Sequence, residues 1–297
     1  MRAPFAFLAL IHAAMLAGCG GEDVANCAAL RRSAPDKALE HCNRAVESRL
    51  VWSKEKARAR LDRGALLADR EQWEASISDI TRAIDSGRLS PQHLIAAYFD
   101  RGTAHLRKGD VDAGIADLDE AIRLDPLHAD AFSNRALARR MKGQLDQAHA
   151  DANAALKITP RHARALFQRG ATYLVQGDGT RARADLDEAL RLDPGLQAAW
   201  NVRGLLWRAA RDWDRALADF DQAVKLRPRD AAALRNRASV LALKRDFDAA
   251  LRDLDASLKL DPRSAEALLR RAAIHEERGD QARMLADRNA AAALAAK

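Results

Sequence analysis

Five prolines, Pro126, Pro160, Pro194, Pro228 and Pro262, stand 34 residues apart. Proline lacks an amide donor and clashes with the preceding helical turn, so each marks the end of a helical segment. A spacing held this often restricts the chain to an array in which one supersecondary unit recurs and buries its apolar face against its neighbours. Counting back from each proline gives units 95–128, 129–162, 163–196, 197–230 and 231–264, with a last unit over 265–297. One more is set upstream at 57–90 by Gly64 and Ala83, with Arg88 where the proline would be, and a short insert at 91–94 follows it.

The pattern is clearest in 197–230, which has Trp200 at position 4, Gly204 at 8, Trp207 at 11, Ala216 at 20, Phe220 at 24, Ala223 at 27 and Pro228 at 32. Small residues stand where two antiparallel helices approach closely, and large ones where the gaps between them must be filled. This arrangement resembles the tetratricopeptide repeat (TPR), a helix–turn–helix unit of the same length. The resemblance implies an all-α, right-handed superhelical solenoid of antiparallel helix pairs, and it covers seven units over 57–297. Helix formers dominate and runs of β-branched residues are absent, which agrees.

Each unit is expected to turn from its first helix, A, into its second, B, at positions 15 and 16. Gly109, Gly143, Gly177 and Gly279 suit a left-handed cap at 15, where Arg211 and Arg245 replace glycine in two units. Asp110, Asp178, Asp212, Asp246 and Asp280 follow at 16, suited to cap helix B. Trp73, Trp213 and Phe247 at 17 are expected to pack under the turn, and Gly179 there leaves a gap. Position 7 is arginine in all seven units (Arg63, Arg101, Arg135, Arg169, Arg203, Arg237, Arg271), and position 23 is aspartate in all seven (Asp79, Asp117, Asp151, Asp185, Asp219, Asp253, Asp287). Opposite charges in one register predict a ladder of ion pairs between helices, since buried arginines are retained when paired. A charged binding stripe is the competing reading.

The N-terminus reads as an export signal. Residues 1–18 carry a basic start and an apolar run too short to span a bilayer. Leu16-Ala17-Gly18-Cys19 looks like a bacterial lipobox, in which Cys19 is lipidated and becomes the mature N-terminus. Ordinary signal cleavage, or a cytosolic protein with an apolar start, competes with this. Gly20 after the cysteine, rather than aspartate, implies by that resemblance the periplasmic face of the outer membrane. Segment 19–56 reads as a degenerate N-terminal hairpin, with Ala38, Cys42 and Ala45 at positions 20, 24 and 27. Cys27 and Cys42 form an even pair in an oxidising compartment, so a disulfide is favoured over two separate buried thiols.

The formal net charge is +7, from 49 basic and 42 acidic residues, so the surface is mixed. No basic block interleaved with aromatics appears, and export argues against nucleic acid. No catalytic constellation is present: His275-Glu276 lacks a second histidine, Ser53 and Lys56 form a lone S-x-x-K, and Asp178-Gly179-Thr180 is an inter-helix turn. His128 and His162 share position 34 and His105 and His275 share position 11, so repeat register explains them better than metal ligation.

The sequence therefore predicts a non-catalytic scaffold without cofactor or metal, lipid-anchored at the cell envelope and binding a protein or peptide partner. The alternatives are an accessory subunit of a peptidoglycan enzyme or of a secretion machine, and an enzyme whose site the sequence hides. The resemblance implies that positions 2, 5, 9, 12 and 13 of each helix A line a concave face. Phe99, Leu106, Leu137, Phe167, Leu174 and Leu205 give that face an apolar floor, and Arg107, Arg140, Arg164, Arg208 and Arg235 give it a basic rim. Such a groove suits a segment with hydrophobic anchors and acidic flanks. The competing reading is that the floor residues only pack against the next helix A.

Overall fold

A computed structural model describes residues 21–49, 51 and 53–295. The signal segment 1–18 and Cys19 lie outside the described residues. Among the described residues every regular element is a helix, and no helix is long and apolar enough to cross a membrane. The helices fall into two compact units, the first ending at Thr159 and the second beginning at Pro160.

The first unit holds α1 (21–29), α2 (Pro35–Glu47), α3 (Ser53–Asp69), α4 (Trp73–Asp85), α5 (Pro91–Lys108), α6 (Val111–Leu124), α7 (Ala129–Met141) and α8 (Leu145–Ile158). The second holds α9 (Ala163–Val175), α10 (Gly179–Leu192), α11 (Gln197–Ala209), α12 (Trp213–Leu226), α13 (Ala231–Leu243), α14 (Phe247–Leu260), α15 (Ala265–Glu277) and α16 (Gln281–Ala295). From α3 onward the odd-numbered helices are A helices and the even-numbered ones B helices, each A packing on the B that follows it.

Close approach of A to B depends on the absence of a side chain. A Cβ on Gly204 would stand 2.7 Å from Cε1 of Phe220, the largest fully buried side chain in the described chain. The turn at position 15 needs a left-handed backbone, and Gly109, Gly143, Gly177 and Gly279 adopt φ between 72° and 100° there. Glu71, Arg211 and Arg245 hold φ of 58–65° at the same position, which costs about 1–2 kcal/mol for a residue with a Cβ. The expected gap at Gly179 is lined by Leu206, whose Cδ2 would lie 3.7 Å from an added Cβ.

Asp178, Asp212, Asp246 and Asp280 each accept the amide three residues on, at 2.9–3.1 Å. Asp110 does not cap its helix; its carboxylate lies 3.2 Å from Lys108 Nζ and 3.5 Å from His105 Nδ1, which draw it back from the amides. At position 34, His128 and His162 serve as N-caps, accepting the amides of Ala131 and Ala165 at Nδ1. The insert at 91–94 is not a linker. It is the first turn of α5, because Ser90 accepts the His93 amide and Pro91 occupies the first helical position, where its missing N–H leaves nothing unsatisfied.

All seven arginines at position 7 meet the aspartate at 23 of their own repeat through Nε and Nη2, at 2.5–2.9 Å. The bidentate fork satisfies both carboxylate oxygens, as the guanidinium geometry allows. Hydrogen bonding to Asp219 holds the Arg203 guanidinium above its usual value, against the opposing effect of burial. A second contact links repeats: Nη1 of Arg135, Arg203, Arg237 and Arg271 reaches the position-25 carboxylates of Asp119, Asp187, Asp221 and Asp255 on the preceding B helix. Nearer the N-terminus, Arg63 and Arg101 make the same reach to the neutral Asn43 and Thr81.

The N-terminal hairpin of α1 and α2 is stapled. Cys27 of α1 and Cys42 of α2 form a disulfide with Cα atoms 4.8 Å apart, and both are fully buried in a cluster with Val24, Ala38, Ala45 and Leu66. Closing a loop of this length contributes about 3 kcal/mol by restricting the unfolded chain.

Candidate functional site

The A-helix faces carrying positions 2, 5, 9, 12 and 13 differ between the two units. In the first, Leu106 is not a floor residue. It is 7% exposed and fills the space over Gly114, where a Cβ would fall 2.5 Å from its Cδ2. Phe99 is half-buried and stacks on His128, ring centroids 4.8 Å apart. Leu137 is half-buried, Arg107 is exposed, and burial lowers the affinity of the half-buried Arg140 guanidinium for its proton.

The same unit carries an acidic group that the groove pattern did not anticipate. Asp100 at position 6 is pushed up to about 6, first by burial; Arg31 opposes the shift, while Asp69 and Asp62 add to it. Burial also raises Asp62, against Arg31 and Arg58. A carboxyl held above its unfolded value of 3.8 makes the fold lose stability as pH rises from about 4 to about 6. Asp100→Asn is therefore expected to raise stability at pH 7.5 by on the order of 1–2 kcal/mol. The gain should disappear below about pH 4. Urea titrations of both proteins at the two pH values check this, and a gain of equal size at both would remove the assignment.

In the second unit Phe167 is buried and belongs to the core of its repeat, and Leu205 packs beside Phe220 and Val240. Arg164 is exposed, Leu174 is half-buried, and Arg235 is neutralised by Glu266 at 2.8 Å. The open space lies further along, across α11, α13 and α15. A depression of about 540 Å³ is floored by Ala238, Ala242, Ala273 and Ile274 and walled by Trp213, Leu243 and Phe247. Arg208, Arg245 and Arg270 stand around it with Glu277.

The charges at its edge are unevenly matched. Arg270 binds Glu266 at 2.6 Å, and Arg245, one of the left-handed turn residues, lies 3.8 Å from Glu277 and over the Phe247 ring. Arg208 has no carboxylate within ion-pair range among the described residues. Burial, then the neighbouring Arg270, weakens its hold on its proton, and Glu266 only partly offsets this. A half-buried guanidinium without a partner, beside an apolar hollow, is arranged to receive a carboxylate carried next to an apolar side chain.

Of the residues predicted for the groove, the structure brings Arg208 to this depression. Ser239, Ala242 and Ala273 were missed because a hollow is made by small side chains, while the sequence reading sought large ones, and Arg270 was missed because it stands at position 6, outside the positions taken to line the face. The signal was present in the register: positions 9 and 12 read Ser239 and Ala242 in one repeat and position 9 reads Ala273 in the next. The described residues contain no group of three or more His, Cys, Asp or Glu side chains placed to hold a metal ion.

Models described as tetratricopeptide repeat match residues 99–160, 134–197 and 203–275. Among solved structures, pilF of Pseudomonas aeruginosa shares 21% identity over 66% of this chain and 90% of its own, with a TM-score of 0.58. A tetratricopeptide repeat protein from Parabacteroides merdae shares 19% identity over 82% and 93%, with a TM-score of 0.57. A thermophilic TPR protein of Thermus thermophilus shares 23% identity over 63% and 99%, with a TM-score of 0.54. These likenesses concern the fold. No curated protein matches the sequence.

Proposed function

The chain belongs to the tetratricopeptide repeat family, and from that premise we propose that it is a non-catalytic scaffold at the bacterial cell envelope, held there by lipid on Cys19. Tetratricopeptide repeats bind protein or peptide partners, and the depression across α11, α13 and α15 is where this chain does so. The partner presents a short segment whose apolar side chain enters the hollow over Ala242 and Ala273 and whose carboxylate meets Arg208.

The observation that carries this reading is Arg208 itself. The seven half-buried arginines at position 7 have designated aspartates, and Arg235 and Arg270 share Glu266, whereas Arg208 faces the hollow with no carboxylate in range. Leaving one beside an open apolar hollow costs stability unless a ligand supplies the missing anion.

The test uses a partner captured from native envelopes by cross-linking and then titrated in purified form. Arg208→Glu with Ala273→Trp reverses the charge and fills the hollow from its exposed side. Loss of a charge-assisted contact and an apolar anchor should weaken binding at least about tenfold, or 1.4 kcal/mol. Helicity and melting should stay unchanged. Undiminished affinity in the double variant would move the site elsewhere.

A further inference from the structure

At the opposite end of the sequence, in the first unit, a second depression of about 320 Å³ lies between α1, α3 and the start of α5. Its lining includes Val24, Lys54, Glu55, Arg58, Arg88 and His93. Three permanent cations and a histidine face one carboxylate there. Lys54 and Arg88 are exposed and have no acidic partner among the described residues, and Arg58 is held only loosely, 3.8 Å from Asp62. This differs from the lateral basic residues of later repeats, where Lys142, Lys244 and Arg278 each contact a carboxylate of the preceding repeat, Asp112, Asp214 and Asp248.

We infer that this basic surface docks on a bilayer bearing anionic lipid, beside the acyl anchor. The inference rests on the reading of Cys19 as lipidated. Val24 lines the depression, and Cys19 lies five residues upstream, so the chain between them spans at most about 18 Å. An anchor on so short a tether holds these cations near the headgroups. Cations act there within about one screening length, roughly 8 Å at physiological salt. Each basic side chain near an anionic leaflet strengthens association on the order of fivefold. A lipid anchor joined to a basic patch is a two-signal attachment in which the second signal also fixes orientation. Glu55, with one buried oxygen lacking a hydrogen-bond partner, is outnumbered by the surrounding cations.

The test is lysine acetylation, read by mass at each site, on mature protein purified from envelopes and reconstituted on vesicles. One set of vesicles is phosphatidylcholine alone, and the other holds equal parts phosphatidylglycerol. Acetylation of Lys54 should slow at least about fivefold on the anionic vesicles and recover in high salt. Exposed Lys225, on α12, should react equally on both. Arg58→Glu with Arg88→Glu should abolish the protection of Lys54 without altering helicity. Equal Lys54 rates on the two vesicle types overturn the docking surface, as does protection that salt does not reverse. The intact mass of the same preparation reports acylation independently. An acylated chain with unprotected Lys54 sinks the docking surface alone, while an unacylated chain with protected Lys54 sinks the anchor alone.

Discussion

Arg203→Leu is expected to destabilise the second unit by about 3–5 kcal/mol, the cost of removing one partner from a buried pair. The arginine's Nε and Nη2 satisfy both oxygens of Asp219, which is 4% exposed, so the substitution strands a desolvated carboxylate. Its third contact, with the half-exposed Asp187, contributes little on its own because solvent already screens it. The double variant Arg203→Leu with Asp219→Leu removes both charges and should recover most of the loss, since a buried pair replaced by apolar residues is close to neutral. Urea midpoints of the wild type, both single variants and the double variant give the coupling directly. A loss below about 1 kcal/mol for Arg203→Leu would mean the pair behaves as a surface contact.

Phe220→Ala is expected to cost about 3–5 kcal/mol, because its ring is fully buried and Gly204 offers no side chain to fill the cavity left behind. The opposite change at the same contact also destabilises. Gly204→Ala pushes a methyl group to within 2.7 Å of the ring, and the overpacking, about 1–3 kcal/mol, exceeds the roughly 1 kcal/mol of helix propensity it gains. Combining Gly204→Ala with Phe220→Leu should be less damaging than the sum of the two single changes, because the smaller side chain vacates the space the methyl group needs. Thermal melts of the four proteins check this. Strict additivity would show that positions 8 and 24 do not share one packing site.

Much of the fold is legible in the sequence because its determinants recur at one spacing. The prolines, the small residues at 8, 20 and 27 and the Arg–Asp pairs each repeat, so local errors in any one repeat cancel against the rest. Glu71 escaped notice as a third left-handed turn residue because the repeat at 57–90 lacks the proline that sets the register elsewhere. The segment 91–94 looked like an insert only because the repeat count skipped it; Ser90 and Pro91 carry the start signal of a helix. Asp110 has the right type and position for a cap, but Lys108 and His105 compete for it, a contest visible only in three dimensions.

The depression across α11, α13 and α15 was legible in the sequence only at Arg208. Position numbers place Arg208 on the helix-A face that borders the hollow, but they cannot say that Leu106 drops into the space above Gly114 while Ala242 and Ala273 leave theirs open. Burial depends on what the neighbouring helix presents at the same height. The neighbour's side-chain volume therefore decides whether a large residue is core or surface.

The arginine contacts also give the array a mechanical character. Arg203 grips α12 with two bonds and α10 with one, so three helices in succession meet at one rivet on α11. Peeling the second unit open helix by helix breaks such a rivet at Arg203, Arg237 and Arg271, and each break loosens two seams at once. In the first unit the rivets at Arg63 and Arg101 close on the neutral Asn43 and Thr81, which makes those joints weaker under load and less sensitive to salt. A pull from the N-terminal side meets the soft joints first, and the disulfide between Cys27 and Cys42 reinforces the hairpin immediately ahead of them.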